Sequence, residues 1–264
     1  MTVRNILLLG AVVLFGTVTT RLFFMENQAQ HIYHAANTRG HADHGWLDTY
    51  HSFSFASWQN PDRMHFGALR VLNDDFVAGG GGFPHHRHDN MEIISIPLEG
   101  ELEHEDSMGN TAVIRQGDVQ IMSAGMGIVH SEKNKNDGSH VRFLQIWIYP
   151  TAKGLQPSYD QQDFDRSLEH NDLLAIVSPE GVEGVEIHQN AWLSLGSWDA
   201  GYKQLYSLHG HDQGVYAFIL EGSVTIDGRT AQRRDGLGIW NTPSIEIAAL
   251  EDSRILLIEV PMHW

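Results

Sequence analysis

From His31 onward, apolar residues recur in short runs and alternations broken by Gly, Asn and Asp, a texture of many short strands. Phe66–Asp75 reads as a strand running into a turn at Asn73-Asp74-Asp75. Met91–Pro97 (Met-Glu-Ile-Ile-Ser-Ile-Pro) reads as a buried strand with Glu99-Gly100 as the turn behind it. Glu101–Glu105 alternates, and Asp106–Asn110 makes a hairpin loop in which Gly and Asn supply the positive-φ positions. Val113–Arg115, Val119–Met122 and Val141–Tyr149 complete a set of roughly eight strands, and no long 3.6-residue period interrupts them. The pattern predicts an all-β fold.

The second half repeats the first in a worn form. Phe218–Ile226 echoes Ile96–His104 with Leu-Glu-Gly in register, and Arg254–Pro261 echoes Phe143–Pro150. Self-similarity at a separation above a hundred residues points to a duplicated domain, since solenoid repeats are only about 20–50 residues long. The boundary is expected in Thr151–Asp165, where Gly154, Pro157 and a polar run break the apolar pattern. We therefore divide the chain into residues 1–24, 25–150 and 151–264.

Residues 1–24 hold a nearly unbroken apolar run, Ile6–Val18, between Arg4 and Arg21. It is shorter than the ~20 residues of a spanning helix. A signal core, a short anchor, or an extension upstream of an ordinary start at Met25 are the readings open to it. A cytoplasmic protein is expected, membrane-anchored or exported if residues 1–24 are retained.

Charge and composition then narrow the chemistry. Hydrophobic residues make up 42% of the 264 and charged residues 19%, enough for a sizeable core. The net charge of −16 argues against phosphate-backbone contacts, so nucleic acid is not an expected direct ligand. No cysteine is present, which excludes disulfides, zinc-thiolate sites, iron–sulfur clusters and thiol nucleophiles. Seventeen histidines, several in near-pairs, make metal the first chemistry to test.

The stretch Gly80–Glu132 holds two such pairs, His86/His88 and His130/Glu132, each at i, i+2. On a strand, side chains two apart share a face, so each pair can aim both members into one interior. Three imidazoles and a carboxylate suit a divalent first-row metal (Fe, Ni, Cu, Mn or Co) and leave open positions for water, O2 or a substrate oxygen. His31, His34, His41, His44, His51, His65, His140, His170, His188 and His263 read as ordinary polar residues. His209-Gly210-His211 lacks a partner pair and reads as a relic, and Gly79–Gly82 lacks the Gly-Lys-Ser/Thr of a phosphate loop.

The chain resembles the cupins, and within them the pirin family of two-domain cupins. Gly80, His86, His88, Glu92 and Gly100 meet the first cupin motif, and Gly117, Gly127, His130 and Asn134 the second. Pirin texture is carried by His44-Gly45-Trp46, Ser52–Ala56, Arg70–Asp75, Glu103–Asn110 and Gly117–Gly125. The resemblance covers about Ile32 to Pro261 and implies a bicupin, two jelly-roll β-barrels in tandem with a metal site in the first and none in the second. It implies metal ligands at His86, His88, His130 and Glu132, with Glu92 outside the ligand set but supporting it. Arg87 stands where family members commonly have Pro, which raises His85 as a substitute ligand; i, i+1 side chains face opposite sides of a strand, and His86 with His88 is the pair we favour.

The implied cofactor is one divalent transition metal, iron foremost, with Ni, Cu, Mn, Co or Zn as the others. The implied activity is a dioxygenase that opens a flavonol such as quercetin with O2 and releases carbon monoxide, Glu132 taking the proton of the substrate 3-hydroxyl. Its partners are then a small aromatic substrate and O2, and a monomer is expected. The alternative is a non-catalytic metal or redox sensor acting through a protein partner. Phe53, Phe55, Met91 and Met126 are read as core, with a place in the pocket wall as the other role open to them.

Overall fold

The computed structural model describes residues 28–164 and 170–264, so the apolar N-terminal run and its readings lie outside the described residues. Among the described residues the regular structure is nearly all strand, and its helical content is two three-residue 3-10 turns at Ala36–Thr38 and Pro61–Arg63. No helix there is long and apolar enough to cross a membrane.

The strands form four sheets, two of seven strands and two of four. In the first half the large sheet runs, in order, Ser158–Asp163, Asp118–Ser123, Glu92–Glu99, Val141–Ile148, Leu69–Val77, Leu47–His51 and Gly40–Asp43. The small sheet runs Gly82–His88, Ile128–Asn134, Glu101–Asp106 and Thr111–Arg115. The second half repeats both orders: Gln30–His34, Gly236–Trp240, Gln213–Glu221, Ser253–Pro261, Trp192–Trp198, Asp172–Pro179 and Val185–Ile187 in the large sheet, Lys203–Ser207, Ser244–Ala249, Ser223–Ile226 and Arg229–Gln232 in the small one. The sequence echoes thus fall on strands with the same place in their sheets. Each half is a two-sheet jelly roll; the barrels stay open at the level of hydrogen bonding, because large and small sheets form separate ladders.

Two strands cross the division at residue 150. Gln30–His34 pairs with Gly236–Trp240 of the second half, and Ser158–Asp163, inside the expected boundary segment, pairs with Asp118–Ser123 of the first. The polar run Ser-Tyr-Asp-Gln-Gln-Asp conceals this edge strand, which joins by its backbone ladder and by Gln161 Nε2, donating to Asp118 Oδ2 at 2.9 Å.

Alternation along the central strands divides two interiors. Ile94, Ile96, Leu144, Ile146 and Leu72 share one buried cluster with Phe218, Leu220, Leu256 and Ile258 of the second half, so the two large sheets pack on each other. Burying each such side chain is worth ~1.5–3 kcal/mol. The intervening Ser95 and Gln145 face the other way, toward the small sheet of the first half. In the second half the matching interior is filled by Val215, Ala217, Ile219, Ile245, Ile247 and Leu257.

The turn expected at Asn73-Asp74-Asp75 is the middle of strand Leu69–Val77, with all three side chains buried. Polar composition misleads there because each residue has a partner. Asn73 and Asp75 bond His51 and Thr49 on the inner face. Asp74 points between the large sheets, where Arg142 grips it through Nε (3.0 Å) and Nη2 (2.9 Å), with Arg39 at 3.4 Å and Arg234 of the second half at 3.3 Å.

Candidate metal centre

His86 and His130 are direct cross-strand partners in the antiparallel pair of Gly82–His88 with Ile128–Asn134. The next-but-one positions, His88 and Glu132, share their faces by the period of two. A bulge between His130 and Glu132 shifts the register, so that Glu132 opposes Phe83.

Ligand-capable atoms of His86, His88 and His130 lie within 4.8 Å of one another, with ring centroids 4.4 to 5.0 Å apart. His85 is exposed and outside this group. His86 Nδ1 lies 2.8 Å from the Pro84 carbonyl; a carbonyl can only accept, so Nδ1 carries the proton and Nε2 keeps its lone pair. Burial, reinforced by the charge of His86, pushes His88 down to about 4, and burial with the charges of His86 and His88 pushes His130 down to about 2. Both rings are therefore neutral near pH 7, the form that binds metal. His130 is 1% exposed, and neither of its nitrogens has a hydrogen-bond partner. An imidazole buried with no partner for either nitrogen is costly, and a divalent ion among the three rings would satisfy it. The residues fit a metal.

Glu132 is buried beside the imidazoles but stands outside their 4.8 Å group. Its Oε2 accepts from Gln145 Nε2 at 2.7 Å, and its Oε1 lies 2.9 Å from Ser95 Oγ, which is also 2.9 Å from Gln145 Oε1. Three contacts close a ring among three side chains. Ser95 has one proton to give, so the ring is complete only when Glu132 brings a proton of its own, whichever way the amide is turned. Burial pushes Glu132 up to about 7, against the opposing hydrogen bonds of Ser95 and Gln145. Glu132 can therefore hold or release a proton near neutral pH.

His86 and His88 open onto a cavity of about 510 Å³ between the two sheets of the first half. Phe55, Trp147, Phe83 and Leu47 give it apolar walls, while Glu132 of the small sheet and Gln145, Asp75 and Asn73 of the large sheet bring polar groups to it. Trp147 packs edge-on to His88 with centroids 4.9 Å apart.

Of the four apolar residues noted in the sequence, Phe55 lines the cavity, Phe53 joins the core between the large sheets, Met91 packs against Ile93, Met122, Ala124 and Ile128, and Met126 is 60% exposed. Glu92 does not support the imidazoles. As an even-numbered residue of its strand it faces the second half, whose His188 backbone N–H donates to it at 3.3 Å, beside Ser123 Oγ of the neighbouring strand at 2.6 Å. His44 and His51, read as ordinary, line the cavity. Ser95 and Gln145 escaped the sequence reading, although a lone polar residue at the centre of each apolar strand was a signal of an inward-facing polar site. His209 contacts Glu259 at 2.9 Å and stacks on Trp192 at 4.0 Å.

Residues 32–148 match the family model described as Pirin, and residues 175–260 the model described as Quercetinase C-terminal cupin domain. A quercetin 2,3-dioxygenase of Escherichia coli strain K12 is 44% identical over 229 residues, which cover 86% of this chain and 96% of that protein. A pirin-like protein of Caulobacter vibrioides is 39% identical over 222 residues, covering 83% of this chain and 95% of its own. Among solved structures, the bacterial pirin YhhW from Escherichia coli in complex with nickel(II) superposes with a TM-score of 0.83 at 39% identity, over 88% of this chain and 99% of that one.

Proposed function

The chain belongs to the pirin family of two-domain cupins, and from that premise we propose that it is a metal-dependent dioxygenase that opens a flavonol such as quercetin with O2 and loss of carbon monoxide. The observation that carries the reading is a 510 Å³ cavity, walled by aromatic side chains and lined by His86 and His88, with the buried, unpartnered His130 clustered behind them. That volume lies within the ~300–1,000 Å³ of small-molecule sites. A sensor working through a protein partner would need no such chamber, and the cavity favours the enzyme.

In this reading His86, His88, His130 and Glu132 would hold the metal. A divalent ion bound there supplies Lewis-acid polarisation of a substrate hydroxyl. The Pro84 carbonyl fixes the tautomer of His86 and keeps the nitrogen opposite free. Glu132 takes the 3-hydroxyl proton, its carboxylate held in place by Ser95 and Gln145, which lose nothing when the proton arrives because it completes their ring. Phe55 and Trp147 bound the planar substrate and keep water from it. Iron remains the metal expected first, and the nickel complex of the Escherichia coli relative supports including nickel(II) in any loading series.

The test is aerobic turnover of quercetin by protein loaded with each first-row divalent metal in turn, beside His86→Ala. Turnover with at least one metal and its loss in the variant are expected. Failure with every metal rejects the flavonol reading.

A further inference from the structure

Facing Glu132 of the small sheet, the large-sheet wall of the cavity carries polar side chains besides Gln145. Thr49 and Asp75 are cross-strand partners, as are His51 and Asn73, and all four are buried and line the cavity. His51 donates through Nδ1 to Asn73 Oδ1 at 2.9 Å, so those two occupy each other. Asp75 is different. Thr49 Oγ1 donates to its Oδ1, and among the described residues no other group donates to the carboxylate. Its Oδ2 is nonetheless absent from the sealed atoms that lack a partner, so this oxygen is open to the cavity. A carboxylate 97% withdrawn from solvent, with one oxygen anchored and the other unpaired toward a chamber, is an acceptor awaiting a donor.

Resting on the dioxygenase reading, we propose that Asp75 determines specificity by accepting a hydrogen bond from a phenolic hydroxyl of the substrate other than the 3-hydroxyl at the metal. Aromatic walls face the ring system, and Asp75, which burial pushes up to about 7, is ionised at pH 8 and offers an acceptor to a ring hydroxyl. The preferred substrate class is thus the polyhydroxylated flavonols, and the unsubstituted parent, 3-hydroxyflavone, is discriminated against. A buried acceptor left unpaired by the parent compound is the kind of feature that rejects an analogue lacking one hydroxyl.

The test is anaerobic calorimetric titration of the full chain, loaded with nickel(II) at pH 8, with quercetin and with 3-hydroxyflavone. Wild type is expected to prefer quercetin by about tenfold to a hundredfold, the range of one hydrogen bond to a charged acceptor. In Asp75→Asn, Thr49 still donates to the amide oxygen, which turns the amide NH2 toward the cavity. The preference should then fall at least tenfold while 3-hydroxyflavone affinity stays within about threefold. Equal affinities in wild type, or an unchanged preference in a folded variant, overturn the assignment of Asp75 and leave the dioxygenase standing. Binding of neither compound overturns both. Should Asp75→Asn fail to fold, a series of flavonols stripped of hydroxyls one ring at a time decides for wild type alone. A loss confined to one ring supports the acceptor, and small losses spread over all rings refute it.

Discussion

Replacing Asp74 by Asn should loosen the union of the two large sheets more than any other single change of charge in the molecule. The side chain of Asp74 is 2% exposed, and those of Arg39 and Arg234 are 7% and 5% exposed. Burial alone would raise its pKa, but the hydrogen bonds of Arg142 and the charges of Arg234, Arg142 and Arg39 hold it below the usual carboxylate range. Asn keeps the shape and removes the charge, leaving three guanidiniums facing one another, with Nε and Nη1 of Arg234 already lacking hydrogen-bond partners. The two bonds from Arg142 are each worth ~1.5–3 kcal/mol, and breaking one side of a buried ion pair costs ~3–5 kcal/mol, so a loss of about 4 kcal/mol is expected. For a chain of this size that is roughly 8–16 °C in the thermal midpoint. The exposed pair of Arg115 with Glu101, remote from the hub, serves as the control; Arg115→Gln should cost no more than about 0.5 kcal/mol. The sign with pH follows from the lowered pKa: the contribution of Asp74 is complete above about pH 4, the unfolded value, and disappears as pH falls through the folded one. Wild type and variant should therefore differ fully at pH 7 and converge in acid. A denaturation difference below about 1 kcal/mol at pH 7 would refute the assignment of the hub.

Three further outcomes are expected. His130→Ala should lose bound metal, from about one ion per chain to less than a tenth when measured by elemental analysis after dialysis, since the proposed centre counts His130 as a ligand and not merely a support. Glu132→Gln should lower kcat/KM for quercetin by about 10²–10⁴ with its fold intact, the usual share of a general base. In the metal-free protein, Glu132 is pushed up to about 7 by burial, so the folded state binds more protons than the unfolded one between about pH 4.3 and pH 7. Wild-type stability should then fall, relative to Glu132→Gln, by about 1.4 kcal/mol per pH unit across that window and level off above it, as read by chemical denaturation.

The sequence made the architecture legible where alternation was clean. Glu92–Glu99, Glu101–Asp106 and Val141–Ile148 fall within one or two residues of the strands their apolar patterns predict. Asn73-Asp74-Asp75 and Ser158–Asp163 were misread because local polarity cannot tell a solvated turn from a strand whose polar groups find partners across the fold. In the first case those partners are 22 to 160 positions away, and in the second a main-chain ladder does the pairing with Gln161 bonding across it. At the site, the i, i+2 spacing pointed to all three clustered imidazoles. Glu92 was misplaced because the period of two sends it to the opposite face from Ser95, a distinction that depends on knowing which face looks at the second half. Asp75, Gln145 and Ser95 gained their meaning only once register set them around one chamber.

Because each large sheet takes its outermost strand from a segment lying beyond its own half of the chain, the halves are clasped rather than merely adjacent. A gene cut at codon 150 would give a first product whose Asp118–Ser123 edge lies bare and a second whose Gly236–Trp240 edge does, each a template for foreign strands. The fragments should recover order only when mixed, and the duplication that produced them can no longer be undone by simple scission.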